Sequence, residues 1–117
     1  MHLVCQKVQL SQVLMNLLNN SFDAIVDDEY KWIKIQSHQH GDRIGVSVTD
    51  SGNGIPGDIA DQIFDPFYTT KGVGKGTGLG LSISAGILSN HGGRLYYDQC
   101  SPNTRFVMEF PLESGEV

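Results

Sequence analysis

A chain of 117 residues with 39% hydrophobic content suits one domain built on one core. Its net charge of −5 argues against nucleic acid as a partner. No apolar run approaches the roughly 20 residues of a membrane span, and no charged-then-apolar leader resembles a signal peptide. Cys5 and Cys100 have neither metal nor redox spacing and read as reduced packing thiols of a cytosolic domain.

His2 to Cys5 reads as a short strand. Leu10, Val13, Leu14, Leu17, Leu18 and Ile25 then recur at helical steps, which predicts an amphipathic helix from near Leu10. Asn16, Asn20 and Asp23 fall in a sector about 60° wide beside that stripe. On spacing alone they read equally as solvated positions or as a polar site. The acidic run Asp27-Asp28-Glu29 opposes a helix C-terminus and belongs in the turn beyond it.

Tyr30 to His38 alternates as a strand, and His40-Gly41-Asp42 reads as a hairpin turn. In the next strand Ile44, Val46, Val48 and Asp50 share one face. A carboxylate on the core-facing side of a strand end needs a partner or a ligand. Asp50-Ser51-Gly52-Asn53-Gly54 also has turn chemistry, but Gly52 stands where a calcium loop needs Asp or Asn. Asp58 to Phe64 predicts a short helix.

Eight of the fourteen glycines lie between Gly52 and Gly80. Five of them alternate with other residues from Gly72 to Gly80, with Lys71 and Lys75 interspersed, and a helical pattern runs from Leu79 to Asn90. Mobile backbone N–H groups opening a helix N-terminus make a phosphate site. A flexible linker is the plain alternative, but the apolar flanks Phe64, Phe67, Tyr68, Leu79, Leu81 and Ile83 argue against it. Gly74-Lys75 is followed by Gly76, which excludes a P-loop, and Leu79 breaks a dinucleotide fingerprint. Gly92-Gly93 caps the helix, and Arg94 to Gln99 and Thr104 to Pro111 predict two further strands. Thr104 shares its face with Phe106, Met108 and Phe110. Residues 113–117 read as a frayed tail. The element order predicts a two-layer α/β sandwich, a mixed and largely antiparallel sheet covered on one face by helices, as a single domain over 1–117.

Four stretches together resemble sensor histidine kinases. Asn16-Leu17-Leu18-Asn19-Asn20-Ser21-Phe22-Asp23-Ala24 is similar to their asparagine box. Asp50-Ser51-Gly52-Asn53-Gly54 is similar to the first glycine box, and Ile63 to Lys71 to the phenylalanine box. Gly74 to Ser82 is similar to the second glycine box. Each motif is weak alone; four in order are specific. The resemblance spans roughly residues 4 to 112 and implies the Bergerat ATP-binding fold, with ATP and Mg²⁺ as cofactors.

The resemblance also implies residue roles. Asn20 would ligate Mg²⁺, Asn16 would face the γ-phosphate, and Asp23 belongs to the same nucleotide-binding face. Asp50 would accept from the adenine amino group. Gly52 and Gly54 would let the backbone pass under the base, with Ile55 packing on it. Phe64 and Phe67 would anchor a lid, and Lys71 would reach the phosphates. The N–H groups of Gly76, Thr77, Gly78, Leu79, Gly80 and Leu81 would cradle the β- and γ-phosphates, and Thr104 would supply an adenine-side hydroxyl. Asn16, Asn20 and Lys71 form the implied catalytic set. The family commonly has Gly-Thr where this chain has Asn103-Thr104, which puts the tight glycine turn in question.

His2, His38, His40 and His91 do not lie in a phosphoacceptor helix and read as structural or solvated. The implied partners are therefore a phosphoacceptor histidine domain of the same kinase, absent upstream of this stretch, and then a response regulator. Membrane attachment would come only through upstream segments. Three other functions share the fold: a gyrase or mismatch-repair type ATPase clamp, a serine kinase acting on a regulator, and an ATP-sensing module without turnover. The clamp needs a glutamate where Asn16 stands.

Overall fold

The computed structural model describes residues 3–60, 62–65 and 80–111. Its first element is α1 (Leu3–Ile25). No Gly or Pro interrupts that span, and Val13, Leu17, Ser21 and Ile25 are buried at four-residue steps along one face. The expected strand at His2–Cys5 is not formed, because the helix already begins at Leu3. A helix satisfies its backbone internally, whereas so short a strand needs a sheet edge to pair with. Beyond Ile25, whose carbonyl accepts from Asp28 N–H at 2.9 Å, the acidic run is exposed in a turn.

Strands β1 (Ile33–His40) and β2 (Arg43–Asp50) form the expected hairpin, closed across His40 and Arg43. Gly41 has a φ of 59°, the left-handed conformation such two-residue turns require. After β2 comes a single turn of helix, α2 (Gly57–Ala60), shorter than the expected 58–64. Ile59 and Ala60 both donate to the Pro56 carbonyl, and Ala60 and Ile63 are buried.

Helix α3 (Gly80–Asn90) presents Ser84 and Leu88 to the interior. It ends in a paired cap: Gly93 N–H donates to Leu88 O at 2.8 Å, and Gly92, with φ 76°, donates to Ser89 O at 3.1 Å. A side chain at Gly93 would collide with the Glu109 carbonyl, so the chain can enter the sheet here only as glycine. His91 Nδ1 lies 2.8 Å from Ile87 O, a structural role as expected.

Strands β3 (Arg94–Tyr97) and β4 (Thr104–Pro111) complete a sheet of order β1-β2-β4-β3. Every pairing in it is antiparallel, so no mixed element is present among the described residues. Helices α1 and α3 cover one face, and the core lies between the layers: Val13 and Leu17 from α1, Leu88 from α3, Val48, Phe106 and Met108 from the sheet. Cys100 is exposed in the β3–β4 turn, not packed as expected. There Asp98 and Arg105 pair at 2.8 Å, and Cys100 N–H donates to Asp98 Oδ1, so backbone polarity rather than thiol burial shapes the turn. No described helix is long and apolar enough to cross a membrane.

Candidate functional site

The sheet brings Asp50 to the end of β2, opposite Thr104 at the start of β4. Both are buried, Asp50 to 1% exposure and Thr104 to 8%. Asp50 Oδ1 accepts the Gly52 N–H at 2.7 Å. Burial pushes the Asp50 carboxyl above the usual carboxylate range. The Gly52 N–H pulls it back, as do the nearby Ser21 and Thr104 hydroxyls, while the charge of Asp28 adds to the rise. Ser21 Oγ, on the buried face of α1, makes no well-formed hydrogen bond despite its proximity. A buried carboxyl needs hydrogen-bond donors, and the Gly52 N–H supplies one of them directly.

Glycine is demanded at Gly52, where an added Cβ would stand 2.8 Å from Asp50 Oδ1 and 2.9 Å from Thr104 Oγ1. Gly54 has a φ of 92°. Its N–H donates to Thr104 Oγ1 at 3.0 Å, which leaves the hydroxyl proton free to serve Asp50. Thr104 N–H donates to Gly52 O at 3.2 Å, and Asn103 Nδ2 donates to the same carbonyl at 3.1 Å. Asn103 thus adds a side-chain tether at the position where the resemblance leads one to expect glycine. Ile55 N–H donates to Tyr97 Oη at 2.7 Å. Sequence reasoning missed Tyr97 and the Asn103 amide. The one signal for Tyr97 was its core-facing parity with Leu95, which put a hydroxyl among apolar neighbours.

Along α1, Asn16 and Asn20 are half-buried one turn apart and Asp23 is exposed beyond them. Asn16 Nδ2 donates to the fully buried Ser84 Oγ at 3.0 Å, which ties α1 to α3. Asn20 directly precedes Ser21 on α1 and is half-buried beside the helix's buried face. An amide oxygen is a hard ligand of the kind Mg²⁺ takes when phosphates supply further oxygens. Among the described residues no group of three His, Cys, Asp or Glu side chains could hold a metal by itself.

Phe64 packs edge-on against Phe106, with ring centroids 6.3 Å apart, and Ile55 joins the same cluster. Gly80 and Leu81 open α3. Phe67, Lys71, Gly76, Thr77, Gly78 and Leu79 lie outside the described residues, as does the expected tail. The structure therefore brings together Asp50, Gly52, Gly54, Ile55 and Thr104 at one end of the sheet, and of the expected phosphate cradle it describes only Gly80 and Leu81.

A profile of the histidine kinase-, DNA gyrase B- and HSP90-like ATPase family matches residues 5–114. The chain is 37% identical over 117 residues to the sensory histidine kinase/phosphatase NtrB of Azospirillum brasilense, covering 89% of this chain and 29% of that protein. It is 42% identical over 105 residues to the sensor histidine kinase ZraS of Escherichia coli K12, covering 89% of this chain and 22% of that protein. The chain thus spans less than a third of these relatives. Among solved structures, the nucleotide-free catalytic domain of histidine kinase ThkA superposes with a TM-score of 0.76 at 39% identity, covering 89% of this chain and 67% of that one. ThkA in complex with the response regulator TrrA gives 0.71 at 34% identity, covering 91% and 29%. The two-layer sandwich, the glycine turn held against Asp50 and these likenesses agree: the chain belongs to the histidine kinase-, DNA gyrase B- and HSP90-like ATPase family, as a catalytic domain of the sensor histidine kinase type.

Proposed function

We propose that this chain binds Mg·ATP and transfers its γ-phosphoryl group to a histidine on a separate helical domain of a two-component sensor kinase. The observation that carries the reading is the buried Asp50 carboxyl, held by Gly52 N–H at one oxygen and set over a segment that admits only glycine at 52. Such an acceptor suits the exocyclic amine of adenine and opposes the carbonyl of guanine. Ile55 packs beneath the base, and Thr104 supports the same edge. Asn20 ligates Mg²⁺, with Asn16 and Asp23 on the same helix. Lys71, Phe67 and the N–H groups from Gly76 to Leu81 serve the phosphates and the lid.

In the reaction the acceptor imidazole nitrogen forms a bond to Pγ. The bond from Pγ to the bridging oxygen breaks, and ADP leaves with that electron pair. Positioning and charge neutralisation carry such a step, so the lack of a carboxylate at position 16 is no obstacle. It does disfavour the clamp reading. Asn16 cannot take a proton from water, and its amide is engaged with Ser84. After transfer to histidine, a response regulator is the next acceptor, and the domain acts on the cytoplasmic side of its parent protein.

The test supplies the chain with Mg·[γ-³²P]ATP and a cognate helical hairpin bearing the acceptor histidine. Acid-labile, base-stable labelling of the hairpin is expected. Acid-stable labelling would favour a serine kinase, and rapid ATP hydrolysis by the chain alone would favour the clamp.

A further inference from the structure

Four hydrogen bonds from the β3–β4 hairpin grip the Gly52–Ile55 segment: Thr104 N–H and Asn103 Nδ2 to Gly52 O, Gly54 N–H to Thr104 Oγ1, and Ile55 N–H to Tyr97 Oη. At 2.7 Å the Tyr97 bond is the shortest of them, and it joins residues 42 apart in sequence. The phenol is itself fixed. Its ring packs on Phe106 with centroids 5.3 Å apart, and Phe106 is 1% exposed. Tyr97 Oη also stands 3.1 Å from the place a Cβ at Gly54 would take, so it fills the space beneath the left-handed residue. Ile55 is thereby held at a set height relative to Asp50, which is anchored independently through Gly52 N–H.

We propose that Tyr97 is a positioning residue for nucleotide specificity: through Ile55 N–H it presets the surface on which the base packs, and Asn103 does the same for the Gly52 carbonyl. The proposal rests on the adenine reading of the Asp50 site given above. Tyr97 contacts no reacting atom. Its hydroxyl acts by denying the segment the freedom to relax, so that the base meets acceptor and platform already spaced. Phenylalanine at 97 would keep the ring packing and leave a half-buried Ile55 N–H without an acceptor.

The experiment measures ATP, ADP, adenosine and GTP affinities by titration calorimetry for the unmutated chain, Tyr97→Phe and Asn103→Gly. ATP is titrated with and without Mg²⁺, and amide exchange is followed by NMR in the empty protein. In Tyr97→Phe, adenosine, ADP and ATP should all weaken by the same factor, about three- to tenfold. The preference over GTP should shrink, and the strengthening of ATP binding by Mg²⁺ should be unchanged. Ile55 should exchange at least about tenfold faster while Val48 and Val107 keep their protection. Asn103→Gly should shift the same quantities in the same direction by about two- to threefold. A loss seen with ATP but not adenosine, a diminished Mg²⁺ effect, or a general loss of sheet protection would overturn the positioning role. Unchanged adenosine affinity in Tyr97→Phe, with normal ATP binding by the unmutated chain, would remove this inference and leave the ATP reading standing. An unmutated chain that binds no adenine nucleotide would remove both.

Discussion

Asp50 and Thr104 are cross-strand partners on β2 and β4, both buried, and each holds a different residue of the same short segment. Asp50 takes Gly52 N–H through its carboxylate, and Thr104 takes Gly54 N–H through its hydroxyl. Two strands distant in sequence therefore hold one glycine turn together. That arrangement fixes the backbone of the segment against the end of the sheet.

The raised Asp50 carboxyl has a pH signature. In the unfolded chain it ionises in the ordinary carboxylate range, while in the fold burial delays ionisation to higher pH. Its contribution to stability is present below the ordinary value and is lost as pH rises through the folded value. Asp50→Asn removes that loss, so its advantage in melting temperature over the unmutated chain should be small in acid and grow towards neutral pH. The same substitution should erase the preference for ATP over GTP. Melting curves that keep a constant offset across pH would contradict the linkage.

Gly52→Ala should be severe. Its Cβ would stand inside normal contact distance of both Asp50 Oδ1 and Thr104 Oγ1, and neither is the free end of a flexible chain. Overpacking of this kind costs about 1–3 kcal/mol, readable in urea unfolding. ATP affinity should fall by more than about tenfold. Retained affinity with unchanged stability would show that the segment yields more easily than its four tethers suggest.

Asn20→Ala should weaken Mg·ATP by more than about tenfold while leaving metal-free adenosine binding nearly untouched. Equal losses for both ligands in calorimetry would move Asn20 from the metal to the base side of the site.

The Asn16–Ser84 bond ties α1 to α3. Asn16→Ala and Ser84→Ala should each destabilise by about 1 kcal/mol, and a double-mutant cycle should return most of that as coupling. If the two losses are simply additive, the bond contributes nothing to stability.

The order of elements was legible in the sequence because each element announces itself locally. Val13, Leu17 and Ile25 recur at helical steps, β2 alternates up to Asp50, and Gly92-Gly93 marks a helix end that the Leu88 and Ser89 carbonyls then close. Asp50 itself stood out because its parity placed a charge on the core side, a conflict that local pattern alone can expose. The start of α1 was misread at His2–Cys5, since four apolar-rich residues carry too short a period to tell strand from helix. What the tertiary structure decided is everything that joins residues far apart in the chain. No periodicity relates Tyr97 to Ile55, Asn103 to Gly52 or Asn16 to Ser84. Those bonds exist because the β1-β2-β4-β3 order sets the last hairpin beside the turn after β2 and lays α3 along α1. A hydrogen bond requires donor and acceptor within about 3 Å, and only the packed layers bring such distant groups that close.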